Sequence, residues 1–549
     1  MRKTMPAVIS AGALSALLLS ACGGGGGSPA KVTLTQAGTT ETAAQCQGTP
    51  ATGGSLVYER QAETQSVNPL SANNGNGDIF ADNLIYSGLV RSDPAGGTDI
   101  KPALADRWTV SDGGKAYTFH LRDGVRFSNG DPVTAQDVKF SLDRFGNPKI
   151  NTLMSSVSVG YGSTTVVDSS TVRVRLTRPI AAFLYNISIF PAFILPKRLV
   201  QSEGAAFYRH PVGTGPFTVK DFVRGSHITF AKNPNYWEAG KPYLDSVRYN
   251  FATDANSRIL ALRGGTAQIM DGVPFSQITS LQGDKKVAVQ SAKVPLFLGL
   301  WLNHTKAPLA DLDVRKAMQY ALNRPLMNRS IFRGLGTIPN SVLMPLRYDA
   351  DDATVKPYAY NLATAKSFMA RSKYPKGFST TLQYPTGYDY YKQLALLMQQ
   401  NYAAIGIKVK LVEETGATGT SNWSAMKYDM TFPFASFTSD VTVPDEYSDF
   451  LANPGNGLNG FFSGWHDAAI QKQVLTFAST LSETDRAAMW PKIQQALMDQ
   501  TPVINVMSLP FVNAHSASTC GTAIDALGSD HLEDTWLAKS GGGTTTAKN

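Results

Sequence analysis

The stretch Leu104-Ala105-Asp106-Arg107-Trp108-Thr109-Val110-Ser111-Asp112-Gly113-Gly114-Lys115-Ala116-Tyr117-Thr118-Phe119-His120-Leu121 decides how the chain is read. Trp108-Thr109-Val110 and Tyr117-Thr118-Phe119 carry the aromatic and β-branched residues that suit a pleated surface. Asp112-Gly113-Gly114 between them supplies the residues a tight reversal requires, so a hairpin is predicted. Past Arg122-Asp123-Gly124-Val125-Arg126-Phe127 and Asn129-Gly130-Asp131-Pro132-Val133, the segment Thr134-Ala135-Gln136-Asp137 reads as a capping box. Val138, Ser141 and Leu142 continue one face of the helix it opens.

The same alternation of strand and helix extends in both directions. Thr171-Val172-Arg173-Val174-Arg175-Leu176 has the period of two that half-buries a strand, and Ile228-Thr229-Phe230 and Val247 to Phe251 are alike. Val314, Ala317, Met318, Ala321 and Leu322 fall at helical spacing, as do Leu394, Leu397 and Met398, whose helix leads through Gly406 into the strand Ile407-Lys408-Val409-Lys410-Leu411. Late helices are predicted on Ile470, Val474, Phe477 and Leu481, then on Met489, Ile493 and Leu497. The fold class is mixed α/β, without a short repeat.

At the start, Arg2 and Lys3 precede an apolar run from Ala7 to Leu19, and Leu19-Ser20-Ala21-Cys22 is followed by Gly23 to Gly27. A charged start, a short apolar core and small residues before the cut are what export requires, and the run is too short to span a bilayer. The pattern resembles a bacterial lipobox, which implies cleavage before Cys22 and acylation of its thiol and new amino group; more than one acyl chain is needed for stable anchoring. Loss of residues 1–21 takes Arg2 and Lys3 and no acid, so the net charge falls from +8 to +6. Lysines and arginines are dispersed among acids, which argues against nucleic acid as a partner. Of three cysteines, Cys46 and Cys520 remain, an even pair that either bridges the chain ends or stays as two thiols.

Catalytic and metal-binding patterns are absent or weak. The seven histidines have no partner at ligand spacing, so neither a metal nor a cofactor is expected. Gly213-Thr214-Gly215 lacks the ending of a phosphate loop. Ser424-Ala425-Met426-Lys427 matches S-x-x-K, in which a lysine one helical turn on could activate a serine nucleophile, but neither companion motif follows. A serine peptidase is therefore only the competing reading from another class.

The stretch from Leu104 through Val138 resembles the signature of the family 5 extracellular solute-binding proteins, the oligopeptide, dipeptide and nickel type of ABC importer receptor. Further landmarks follow in the family's order. Val212-Gly213-Thr214-Gly215-Pro216-Phe217 is similar to its GTGPY turn, and Lys232-Asn233-Pro234-Asn235-Tyr236-Trp237 to its R-N-P-x-Y-W segment. Asp313-Val314-Arg315-Lys316-Ala317-Met318-Gln319-Tyr320-Ala321-Leu322-Asn323-Arg324 and Ala404-Ile405-Gly406-Ile407-Lys408-Val409 resemble two more. Together they cover roughly residues 55–515.

The resemblance implies a two-lobed fold of the periplasmic-binding-protein type (class II), with an extra subdomain in the first lobe. Carried over, residues 22–54 are a lipidated spacer; 55–95, 211–300 and 506–540 the base lobe; 96–210 the subdomain; 301–505 the second lobe; and 541–549 a flexible tail. A hinge is expected near Trp301-Leu302-Asn303 and between Pro502 and Pro510. The implied protein is a monomeric, lipid-anchored receptor on the periplasmic side or outer face of a bacterial membrane. It would capture a peptide or peptide-like solute, deliver it to an ABC permease and catalyse nothing; a receptor for a sugar, opine or metal chelate is the alternative on the same fold. In peptide-binding members an aspartate of the second lobe pairs with the ligand's α-amino group, which points to Asp440 first and Asp445 second. Tyr388, Trp423, Phe434 and Phe437 are the expected apolar walls, and Glu59, Gln61 and Glu63 are expected to face the cleft from the base lobe. The arginine that dipeptide-type members carry before the long helix is missing, since Thr386-Gly387-Tyr388-Asp389-Tyr390-Tyr391 offers only Lys392 nearby. Family members bring both chain ends to the base lobe, which would let Cys46 meet Cys520.

Overall fold

The opening hairpin forms with Trp108 opposite Phe119 and Val110 opposite Tyr117. Asp112, Gly113 and Gly114 have φ of 53°, 60° and 82°, a left-handed run that glycine makes affordable. In the capping box, Thr134 Oγ1 accepts from Asp137 N at 3.4 Å while Asp137 Oδ2 accepts from Thr134 N at 2.9 Å. Helix Ala135–Phe145 then buries Val138, Ser141, Leu142 and Phe145. The hairpin belongs to a four-stranded antiparallel sheet in the order Ala105–Ser111, Ala116–Leu121, Thr171–Leu176, Tyr161–Val166. The computed structural model describes residues 46, 49–71, 75–151, 154–341, 348, 354–433 and 440–538; Cys22, Phe434 and Phe437 lie outside them.

A second, ten-stranded sheet organises the rest. Its first half contains Ser55–Arg60, which runs parallel to Ser246–Phe251 and to Ile269–Met270, with His227–Lys232 and Phe217–Val223 beyond. Its second half contains Phe378–Pro385, parallel to Ile407–Glu414 and Met430–Thr431. Helix Asp389–Ala403 connects Phe378–Pro385 to Ile407–Glu414, the crossover that parallel neighbours need. Two long antiparallel strands, Val287–Leu302 and Val503–Ser516, belong to both halves: Ala514 pairs with Met270 at one end and Trp301 with Thr431 at the other. Their register shifts between Ala292 and Leu296 and again between Leu298 and Gly299. The ladder is intact at Trp301, so the irregularity on that strand lies earlier than Trp301-Leu302-Asn303, whereas on the partner strand it falls opposite Asn505 to Phe511.

Segments from 440 onward pack on the four-stranded sheet and its neighbours. Ala181 N donates to the Ala478 carbonyl at 2.9 Å, and Thr442 Oγ1 to the Thr98 carbonyl at 2.9 Å. One hydrophobic core accordingly runs from Leu56 and Tyr58 through Phe119 and Val174 to Val443, Phe477 and Trp490. A second fills the space around Met318, Leu394 and Met398. One sequence reading is corrected here. Leu481 is 44% exposed and falls between helices Ala468–Ser479 and Glu483–Gln500, because the Ser482 hydroxyl caps the second by accepting from Asp485 N at 3.3 Å. Gly213 and Gly215 permit close approach, since a Cβ on either would lie 2.0 to 2.5 Å from backbone of Leu84 and Ile85. Among the described residues, no helix is long and apolar enough to cross a membrane.

Candidate functional site

Strand Ser55–Arg60 ends at the junction of the two halves, and two cavities open on either side of Phe80, which lines both. The smaller, of about 120 Å³, is bounded by Phe80, Phe190, Trp237, Asp440 and Asp530 among others. Its floor comes from the C-terminal segment. Asp525 accepts from Leu527 N and Ser529 N at 2.8 and 2.9 Å and, with Glu533, clamps the His531 ring at 3.2 and 3.1 Å. Burial opposes a charge on His531, but the two carboxylates keep its pKa well above the usual imidazole range. Burial would raise Glu533, yet His531 wins and holds it at about 2. Asp530 accepts from Tyr58 Oη at 2.5 Å, and burial lifts it to about 6.

Asp440 faces this cavity from the second half of the chain. Its backbone N–H donates to Glu446 Oε2 at 2.8 Å. Burial raises its carboxyl to about 7, opposed only by a hydrogen bond with Glu446, and among the described residues no cation pairs with it. Arg91 and His531 line the same cavity but are held by Glu238 and by Asp525 and Glu533, so the Asp440 carboxyl is poised to ionise when a further cation arrives.

The larger cavity, about 930 Å³, lies between strand Ser55–Arg60 and helix Asp389–Ala403, against Leu296 and Pro510 of the two long strands. Arg60 Nε meets Asp271 Oδ2 at 2.9 Å and its guanidinium lies 4.5 Å from the Phe80 ring centre, while Gln61 N donates to Asp271 Oδ1 at 2.6 Å. Arg258 is spent on the carbonyls of Ala252, Thr253, Asp271 and Gly272. Tyr388 and Tyr390 form an aromatic wall, their ring centres 5.8 Å apart. Burial raises both phenols, so both stay neutral donors.

Of the residues singled out from sequence, the structure brings Asp440 to one cavity and Gln61 and Tyr388 to the other. The other described ones are employed elsewhere. Asp445 is held by the Arg486 guanidinium, and Glu59 accepts from Asn250 Nδ2 at 2.8 Å within the sheet. Glu63 accepts from Gly225 N at 2.6 Å. Trp423 is 3% exposed and packs edge-on against Trp301, Phe461 and Phe462, so it is core rather than pocket wall. The helix Gly416–Ser424 stops at Ser424, whose hydroxyl donates to the Ser421 carbonyl at 3.1 Å, and Met426 is left-handed with φ of 55°. Lys427 therefore does not sit one turn along the serine's helix. Cys46 and Cys520 are joined by a disulfide with Cα atoms 5.5 Å apart. The reading missed Phe80, Arg60 and the cluster Asp525, Asp530, His531 and Glu533. The charges of Ser529-Asp530-His531-Leu532-Glu533 were visible, but nothing local says that they meet Asp440.

A mixed α/β chain with one sheet shared by two halves and a ligand-sized cleft between them is the architecture of a solute-binding protein. Residues 99–459 match the bacterial extracellular solute-binding proteins, family 5 Middle. The chain belongs to the family 5 extracellular solute-binding proteins, the substrate-binding components of ABC importers. It is 31% identical over 470 residues to the glutathione-binding protein GsiB of Shigella flexneri serotype 5b, covering 83% of this chain and 89% of that one. The ABC transporter-associated periplasmic binding protein DppA from Helicobacter pylori, in complex with peptide STSA, is 26% identical with a TM-score of 0.81, over 89% of this chain and 99% of that one. The binding protein AgaA from A. tumefaciens R10, in complex with agropinic acid, is 26% identical with a TM-score of 0.80, over 89% of this chain and 99% of that one.

Proposed function

We propose that this protein captures a small peptide or peptide-like solute between the two halves of the shared sheet and hands it to its permease, with Asp440 receiving the ligand's α-amino group. The observation that carries this is the buried Asp440 carboxyl, raised to about 7 in a cavity whose own cations, Arg91 and His531, are already paired with Glu238 and with Asp525 and Glu533. A ligand ammonium supplies the missing partner and fixes the ligand's direction. Tyr388 and Phe80 supply apolar walls. The relatives named for glutathione and the neighbour bound to a peptide support the same ligand class. Closure favours the bound form because only ligand in contact with both halves stabilises one arrangement over the other.

In this reading the base lobe, subdomain and second lobe follow the boundaries set out above, no bond is made or broken, and the monomer is tethered by lipid on Cys22. The likeness to AgaA makes an opine the second ligand class. Calorimetry with a panel of glutathione, Ala-Ala, Ala-Ala-Ala and agropinic acid tests the proposal, after mass spectrometry of whatever the native protein releases on denaturation. Stoichiometric binding of a peptide without turnover supports it. Binding of agropinic acid alone, or steady cleavage of the peptides, refutes it. Cys22→Ser should move the protein from the membrane to the soluble fraction; unchanged partitioning would refute the anchor.

A further inference from the structure

Helix Asn76–Ile85 serves the smaller cavity with one face and buries acids on another. Ile79, Phe80, Asn83 and Leu84 line the cavity, and Asn83 Nδ2 donates to Ser529 Oγ on the opposite wall at 3.3 Å. Asp78 and Asp82, one turn apart, point elsewhere, and neither has any exposed surface. The loop before the helix folds over Asp78, whose Oδ1 accepts from Gln65 N and Ser66 N at 2.6 and 3.1 Å. Tyr86 Oη fastens the same loop through the Val67 carbonyl at 2.8 Å. Asp82 receives nothing comparable. Both of its carboxyl oxygens are buried without a hydrogen-bond partner among the described residues.

No cation compensates it. The charge that acts on Asp82 is Asp78, which repels a second carboxylate. Tyr86 on the same helix and Tyr208 on the segment Gly204–Arg209 are phenols that burial keeps neutral, and Arg144 is turned to Tyr208 Oη at 3.3 Å. The loop residues 64–68 carry no titratable side chain; Glu63 before them accepts from Gly225 N, and Arg224 donates to the Gln65 carbonyl at 2.8 Å. Of the elements packed on the helix, Phe190–Ala192 has no titratable side chain either. Phe217–Val223 has Lys220 and Asp221, both exposed, with Asp221 against His227 at 2.9 Å. Arg60 lies over Phe80 and is paired with Asp271. Asp82 also falls in the last turn, at the negative end of the helix. Burial first, and the Asp78 carboxylate second, hold its carboxyl well above the usual carboxylate range. A fully buried polar group left without a partner calls for a cause beyond packing.

We propose that Asp82 is a proton-dependent peg: the helix that walls the cavity stays seated while Asp82 is protonated and is released progressively as pH rises. This goes beyond the peptide reading and uses it only in taking the cavity for the ligand site. Seated, the carboxyl holds its proton; unseated, it meets water and ionises at its ordinary value. Local opening therefore releases one proton. Linkage makes opening easier by up to about tenfold per pH unit above that value, until the seated carboxyl ionises as well. Because Phe80 borders both cavities, a loosened helix withdraws wall from each, and solute held at lower pH is let go at higher pH.

The test is hydrogen exchange of the ligand-free protein between pH 5 and 8, read as protection factors so that the intrinsic pH dependence of exchange is removed. Wild type, Asp82→Asn and Asp82→Leu are compared. In wild type the protection of amides 80–86 should fall by up to about tenfold per pH unit. In both variants that slope should be absent, and Asp82→Leu keeps the comparison decisive if a buried asparagine amide destabilises the helix. Asp440, Asp449 and Asp530 are the same in all three proteins, so their titration cancels. Equal slopes in wild type and variants, or no slope in wild type, overturn the inference. So does protection that rises with added Na+ or Ca2+ in wild type but not in Asp82→Asn, since the carboxyl then holds a cation rather than a proton. No ligand enters the measurement, so its failure leaves the peptide reading standing, whereas failure of the peptide panel to bind overturns that reading alone.

Discussion

The side-chain amide of Gln61 donates to the carbonyl oxygen of Gly387 at 3.3 Å, linking the end of a first-half strand to the loop before the long helix of the second half. It is a direct polar contact between the two sides of the larger cavity, and it exists only while they are close. Gln61 is itself fixed by its backbone bond to Asp271 and by the close packing of Gly272 on its side-chain oxygen.

Gln61→Ala should therefore weaken the closed arrangement rather than the fold. A hydrogen bond of this kind is worth about 1 kcal/mol, or roughly fivefold in the ratio of closed to open forms. The expected result is a few-fold loss of ligand affinity, a larger radius of gyration without ligand and an unchanged melting temperature. An unchanged radius of gyration by solution scattering would show that the contact does not hold the halves together.

Burial lifts the Asp440 carboxyl from its ordinary 3.8 to about 7 in the fold, with Glu446 hydrogen-bonded to it. A raised carboxyl stabilises the fold while protonated and loses that contribution as pH rises through the folded value, so the ligand-free protein should become less stable between about pH 4 and 7. Asp530 and Asp449, each lifted to about 6 by burial, act in the same direction. Binding of an ammonium needs the ionised carboxyl, so affinity should fall by up to about tenfold per pH unit below 7 and stop rising near pH 8, where the ligand's own amino group begins to lose its proton. Asp440→Asn should remove the fall below pH 7 and cost about 2–5 kcal/mol of binding at pH 7. Calorimetry at pH 6, 7 and 8 decides it: a wild-type affinity that does not change over that range refutes the assignment.

Local patterns carried much of the fold. The hairpin at Asp112-Gly113-Gly114, the capping box at Thr134 and the helix on Val314, Ala317 and Met318 depend on residues a few positions apart, where periodicity and turn chemistry act directly. Of the site residues expected from the sequence, Asp440, Gln61 and Tyr388 line the two cavities, and no local pattern distinguished them from the others. Asp445 resembled a ligand carboxylate because its partner Arg486 lies 41 positions away, and no local pattern announces a pair at that distance. The C-terminal acids were opaque for the same reason: they meet Asp440 only after the chain has passed through both halves.

The Cys46 to Cys520 disulfide spans 474 positions and fastens the segment before the first strand to Cys520, which is fully buried in the short pair Thr519–Cys520 and Trp536–Leu537. By limiting the unfolded chain it should contribute about 2–5 kcal/mol. Cys46→Ser and Cys520→Ser should each lower the melting temperature and, in non-reducing peptide maps, abolish the cross-linked fragment. Equal melting temperatures for oxidised and reduced wild type would show that the bridge adds no stability.

Arg486 places its guanidinium 3.9 Å from the Phe477 ring centre and distributes its donors among three groups. Nε goes to Tyr348 Oη at 2.8 Å, one terminal nitrogen to the Phe477 carbonyl at 2.7 Å and the other to Asp445. Both members of the ion pair are buried, at 2% and 8% side-chain exposure. Burial raises the Asp445 carboxyl even with Arg486 beside it, so the arginine is what keeps a charge there tolerable. Arg486→Met removes the partner and leaves the acid in an apolar setting, at an expected cost of about 3–5 kcal/mol. The lone carboxyl should then hold its proton to higher pH, so the variant should lose further stability as pH rises from 5 to 8. Arg486→Met combined with Asp445→Leu removes both charges and should recover most of the loss, since paired burial of apolar groups replaces a desolvated pair at little cost. Chemical denaturation of the two single variants and the double variant measures the coupling; additive losses would show that the two side chains do not depend on each other.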